Sequence, residues 1–131
     1  MQNNYEYNDG GRSKYFRMKY KSDNIGDCVV RALAIATGDD YQLVRRELWD
    51  TSFELGDMPS SKPIYESFLE KRGFIKEKKI KGFNLGNYPK SEKEIYVAVL
   101  ANHLVCVEQG VVKDIWDCRK KYPYAIWIKP N

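Results

Sequence analysis

The chain reads as an α+β protein in which N-terminal helices, one of them a central cysteine-bearing helix, pack on a C-terminal antiparallel β-sheet. Three observations predict this. An apolar run at helical spacing fills positions 28–36, and two amphipathic stretches follow closely. From residue 95 onward the pattern changes to short apolar runs separated by turn residues. Helices first and strands afterwards is the order of an α+β fold, not of alternating βα units. The 131 residues suffice for one core, and a 43% hydrophobic content excludes a disordered chain.

Residues 1–22 read as an N-terminal arm ahead of a single domain over 23–131. The arm is tyrosine-rich and breaks at Gly10-Gly11, and Tyr15 to Tyr20 roughly alternates, as an edge strand would. The first helix should begin near Asp27 and stop at Gly38, with Cys28, Ala32 and Ile35 on one stripe. Asp39 or Asp40 can cap the second helix, and Gln42 three residues after Asp39 suggests a capping box. Its inner face is expected to be Tyr41, Val44, Leu48 and Phe53. A third helix follows with Pro63 in its first turn, Ile64, Phe68 and Leu69 inward, and Gly73 as its stop. A Gly- and Lys-rich connection over 76–91 holds a short strand around Ile80. Residues 95–100 read as a central strand, 104–107 and 111–116 as a hairpin about Gln109-Gly110, and 124–128 as a last strand before Pro130. Trp49, Trp116 and Trp127 read as core, and Trp116 can also shelter a polar pair from water.

The net charge of +4 is mild but uneven. Residues 71–93 hold eight Lys/Arg against Glu77 and Glu92, which reads as a solvated face, since no nucleic-acid module accompanies it. No apolar run approaches the roughly 20 residues of a membrane span. The polar opening lacks the apolar middle of a signal peptide, so a cytoplasmic location is expected. Cys28, Cys106 and Cys118 are odd in number and widely spaced, which argues against a disulfide scaffold or structural zinc site. One histidine and scattered carboxylates imply no metal and no cofactor. Nothing in the sequence specifies an oligomeric state.

The chemistry-bearing pattern is Cys28 opening a helix, His103 opening a strand, and Asp114 and Asp117 shortly after it. That is the order of a thiol nucleophile, its base and the group that orients the base. A helix N-terminus with its unpaired N–H groups favours a thiolate at Cys28. The Cys28 N–H and the Asn24 side chain can act as oxyanion donors, Gly26 lets a substrate backbone approach, and Asp27 is an N-cap or an ion-pair partner. A two-residue turn at Gln109-Gly110 pairs Val107 with Val112 and Val105 with Asp114, and sets Asp114 diagonally beside His103. A three-residue turn would bring Asp117 to His103 instead, and would set Lys113 beside valines. Cys106 falls on the opposite face and reads as core; Cys118 reads as a surface thiol.

The stretch from Gly26 to Gly38, with His103 to Val107 and Asp114 to Asp117, resembles small papain-like (C39-like) cysteine peptidase-fold proteins of bacteriophage and prophage genomes. The resemblance implies that Cys28 is the nucleophile, His103 the base and Asp114 the third member. It implies a thioester mechanism: a peptidase, isopeptidase, amidase or deamidase aimed at a host or phage protein. The chain lacks the glutamine that papain-like enzymes carry ahead of the cysteine, and Asn24 stands near that place. The alternative is a papain-like fold without chemistry, serving as a protein-binding or inhibitor module. Nucleic-acid binding through the basic stretch is a weaker third option.

Overall fold

The computed structural model describes residues 4–16, 25–90 and 94–130. In chain order the elements are β1 (Tyr5–Tyr7), α1 (Cys28–Thr37), α2 (Tyr41–Leu55), α3 (Lys62–Lys71), β2 (Ile75–Glu77), β3 (Ile95–Leu100), β4 (His103–Glu108), β5 (Val111–Asp114) and β6 (Ala125–Ile128). The architecture is α+β, with the helices packed on a six-stranded sheet of order β1-β5-β4-β3-β6-β2. The sheet is mixed, not antiparallel as expected: β1 runs parallel to β5, with Tyr5 opposite Val112 and Tyr7 opposite Asp114. The remaining pairings are antiparallel.

The segment read as an arm therefore supplies the edge strand, and its Arg12 is 1% exposed. Tyr15 and Phe16 form no strand, and the rest of the strand expected there lies outside the described residues. Instead, Tyr15 stacks on Tyr41 and donates its hydroxyl to Asp40 at 2.6 Å. Phe16 meets the edge of Tyr41.

α1 stops at Gly38, whose φ of +75° suits glycine and whose N–H reaches the Ala34 carbonyl at 2.9 Å. Asp40, not Asp39, caps α2, accepting the Gln42 N–H at 3.0 Å, so the expected capping box does not form. Tyr41, Val44 and Leu48 are buried as expected, but Phe53 is 79% exposed and Thr51 and Ser52 take its place. The reason is geometric. At about 100° per residue, position 53 lies about 140° round the helix from Leu48, whereas 51 and 52 return to its face. Trp49, one residue past Leu48, is likewise half exposed. In α3, Ile64, Phe68 and Leu69 face inward, as expected. The strand expected around Ile80 forms earlier, at β2, where pairing with β6 is available.

Two apolar layers flank the sheet. One joins Leu33, Leu48 and Phe68 of the helices to Val97, Cys106 and Trp127 of the strands. The other gathers Tyr96, Val105, Val107, Val112 and Ile126 under Leu85 and Tyr88 of the long connection. The alternation of Val105, Cys106 and Val107 between layers is the period-two pattern of a strand buried on both faces.

Candidate active site

Three elements converge at one end of the sheet. Cys28 is the first residue of α1, and Asp27 before it makes no side-chain cap. The β3–β4 hairpin turns through Ala101-Asn102, with Asn102 at φ +54°, and sets His103 opposite Leu100 at the tip of the ladder. The β4–β5 hairpin pairs Val107 with Val112, the register of the two-residue turn, and so aims Asp114 at His103. His103 Nε2 lies 2.5 Å from Asp114 Oδ2. With Nε2 engaged, Nδ1 is the nitrogen left to serve Cys28, which shares a cleft with His103 and whose thiol the imidazole lowers.

These contacts set the charges. Burial by itself would raise the Cys28 thiol, but the hydrogen bond to His103, a backbone contact at Leu104 and the charge of Arg31 bring it below its ordinary value. Burial likewise opposes an imidazolium at His103. The hydrogen bonds to Asp114, Cys118 and Cys28 and the Asp114 charge overcome that and push it up to about 11. Both shifts favour a thiolate–imidazolium pair.

Asp114 is 3% exposed and held on every side. Its Oδ1 accepts the Ile115 N–H at 2.7 Å and Arg31 Nη2 at 3.3 Å. Its Oδ2 takes His103 and, at 3.7 Å, the Cys118 thiol. Its carbonyl accepts the Asn8 N–H at 3.0 Å and the Tyr5 hydroxyl at 3.1 Å. Asp117, the other candidate, is exposed and turned to Arg119, with Oδ2 2.6 Å from Nη2. Asn24 lies outside the described residues.

Behind Asp114 runs a buried chain of alternating charge that the sequence reading missed. Arg31 bridges Asp114 to Asp27 Oδ1, Arg12 Nη1 reaches the same Asp27 oxygen at 3.2 Å, and the Tyr41 hydroxyl donates to Asp27 Oδ2 at 2.8 Å. Of the two roles expected for Asp27, it takes the ion pair. The available signal was an acid four residues before a base inside an otherwise apolar helix.

Cys118, expected at the surface, is buried, and burial raises its thiol; Cys106 is core, and its thiol is raised for the same reason. Trp116 is not core. It is 41% exposed and lies over His103, ring centroids 5.1 Å apart, the sheltering position. The sequence suggested no ligand set, yet ligand atoms of His103, Asp114 and Cys118 lie within 4.8 Å of one another. Two oxygen or nitrogen ligands of a tetrahedral zinc, each about 2.0 Å from the ion, sit about 3.3 Å apart. The 2.5 Å between Nε2 and Oδ2 is closer than that, and the two atoms share a short hydrogen bond.

Cys28 and His103 open into a cleft of about 430 Å³ that Ser60, Lys62, Tyr65 and Leu100 also line. Across Gly26 and Ser60 lies a second hollow of about 380 Å³, walled by Ile25, Trp49, Met58 and Pro59. Gly26 sits at φ +72°, and a side chain there would be strained. Three residues of the basic stretch form ion pairs: Arg72 with Glu47 and Asp39, Lys76 with Glu66, and Lys90 with Glu77 and Glu94. Among the described residues no helix is long and apolar enough to cross a membrane. Comparison of the chain with protein-family models, with curated proteins and with solved structures finds no match.

Proposed function

We propose that the protein is a papain-like thiol hydrolase that cleaves an amide through a Cys28–His103–Asp114 triad and a thioester. The observation that carries this reading is the Cys28 thiol at a helix N-terminus, sharing a cleft with a histidine whose Nε2 meets a buried carboxylate at 2.5 Å. The Cys28 sulfur attacks the carbonyl carbon, a C–S bond forms, and the carbonyl π electrons move to oxygen. The Cys28 N–H, with the α1 dipole behind it, faces that oxyanion. As the C–N bond breaks, His103 gives its proton to the departing amine. Water then attacks the thioester, His103 takes the water proton, and the acid and free thiol are released. The resemblance to bacteriophage and prophage proteins suggests a host or phage protein as substrate, cut at a peptide or isopeptide bond or deamidated.

The test is a panel of peptide, isopeptide and glutamine-amide substrates read by mass spectrometry. The expected result is a product from at least one substrate, lost in both Cys28→Ala and His103→Ala. No product from any substrate, or a product indifferent to Cys28, sinks the reading.

A second reading, a protein-binding module without chemistry, draws on a specific observation. Trp49, Phe53, Leu55 and Met58 are exposed, the rings of Trp49 and Phe53 lie 6.1 Å apart, and Trp49 and Met58 wall the second hollow. That reading expects capture of a partner unchanged by Cys28→Ala and abolished by charges at Phe53.

A further inference from the structure

Arg31 is 4% exposed and spends its two Nη atoms on carboxylates from different parts of the chain, Asp27 and Asp114, while its Nε has no hydrogen-bond partner. A buried guanidinium is costly unless compensated, and here compensation comes from both sides. Asp27 is in turn held by Arg12 and Tyr41. Formally, Arg12 and Arg31 balance Asp27 and Asp114, so a thiolate and an imidazolium at Cys28 and His103 add no net charge to the buried group. The N-terminal segment closes the arrangement. Gly10 runs so close to α1 that a Cβ on it would stand 3.0 Å from the Arg31 Cα and carbonyl oxygen. Tyr5 and Asn8 fix the Asp114 backbone.

We infer that Arg31, braced by Asp27, Arg12 and Tyr41, is a positioning residue of the triad that holds Asp114 and through it His103. The inference rests on the thiol-hydrolase reading. Without the guanidinium, Asp114 Oδ1 keeps only the Ile115 N–H, and the carboxylate loses the contact from α1 that fixes its direction toward His103. His103 then loses the partner that keeps it protonated, and Cys28 loses both the imidazolium and the direct pull of Arg31. The groups around Asp114 are His103 from β4, Arg31 from α1, Tyr5 from β1, and Cys118 after β5. Those around Cys28 are His103, Arg31, Tyr65 from α3 and, on the cleft wall, Lys62. None of the others brings a cation to Asp114 Oδ1, so none replaces Arg31.

The experiment is the pH profile of Cys28 alkylation by iodoacetamide on the full chain, resolved by mass spectrometry. Circular dichroism serves as the check of folding. In the wild type the midpoint is expected below the free-thiol range near 8.5. In Arg31→Met it is expected to rise by at least one unit, a tenfold loss of thiolate at a given lower pH. Arg31→Lys keeps the charge, but a single Nζ cannot serve both carboxylates, so its midpoint should fall between the two. A midpoint that stays at the wild-type value in either folded variant overturns the inference. If Arg31→Met does not fold, Arg31→Lys decides alone by the same criterion. A wild-type midpoint at the free-thiol value instead overturns the thiol-hydrolase reading, whatever the variants do.

Discussion

His103 keeps its proton in the folded state far beyond the pH at which an unfolded chain releases it. An unfolded histidine titrates near 6.5, and here Asp114 and the two thiols outweigh burial to bring the folded value to about 11. A raised value contributes stability that is fully present below about pH 6.5 and lost as pH climbs through about 11. Cys28, shifted down, works in the opposite sense, so the clean comparison removes it. Denaturant unfolding of Cys28→Ser should exceed that of Cys28→Ser/His103→Gln by a wider gap at pH 6 than at pH 10. A gap of constant size would mean that the Asp114 contact does not hold the proton. At this scale the meeting of Cys28, His103 and Asp114 was legible, because a helix-opening cysteine, a strand-opening histidine and a turn-set register are all local signals. Arg12 and Tyr41 were not. Their value lies in Asp27, which they meet only after folding, and nothing near them in the chain marks them as partners.

The β4–β5 hairpin begins at His103 and ends at Asp114, so its turn sets how those two side chains meet. Gln109 at φ +54° and Gly110 at φ +81° are the two left-handed positions of a type I′ turn. Gly110→Ala should cost about 1 kcal/mol, and Gln109→Gly should stabilise by a few tenths to about 1 kcal/mol, read from denaturant midpoints. An unchanged or improved midpoint for Gly110→Ala would argue that the turn is not under this constraint. The turn was readable because its sequence, its length and the pairing of Val107 with Val112 agree. The inner face of α2 was readable only for its first two turns. Phe53 shows why residue type misleads: an aromatic side chain signals burial in general, but position on the helix decides which face it takes. β2 was misplaced because a three-residue strand is defined by the neighbour it finds, here β6, more than by its own pattern.

Over the whole molecule, the N-terminal segment is the part least visible in the sequence and most consequential in the fold. It adds β1 to the sheet, packs Tyr15 and Phe16 against Tyr41, and buries Arg12 beside Asp27. Removing one partner from such a group leaves an uncompensated charge in a low-dielectric setting. Arg12→Met should therefore destabilise by about 3 kcal/mol in chemical denaturation, far more than the loss of a surface arginine. A loss below about 1 kcal/mol would place the segment outside the cooperative unit. Composition described these residues as polar and tyrosine-rich, which fits an arm as well as an edge. Only the parallel pairing with a strand a hundred residues away distinguishes the two.

That pairing also orders events in time. Synthesis delivers β1 and the cysteine-bearing α1 early, and the strands with His103 and Asp114 late. Until β5 has emerged, β1 has no neighbour to lie beside, and until β4 and β5 fold together His103 and Asp114 do not stand beside Cys28. On the proposed reading, a growing polypeptide thus presents an ordinary cysteine to its surroundings, and the ends of the fold must meet before that cysteine gains its reactivity.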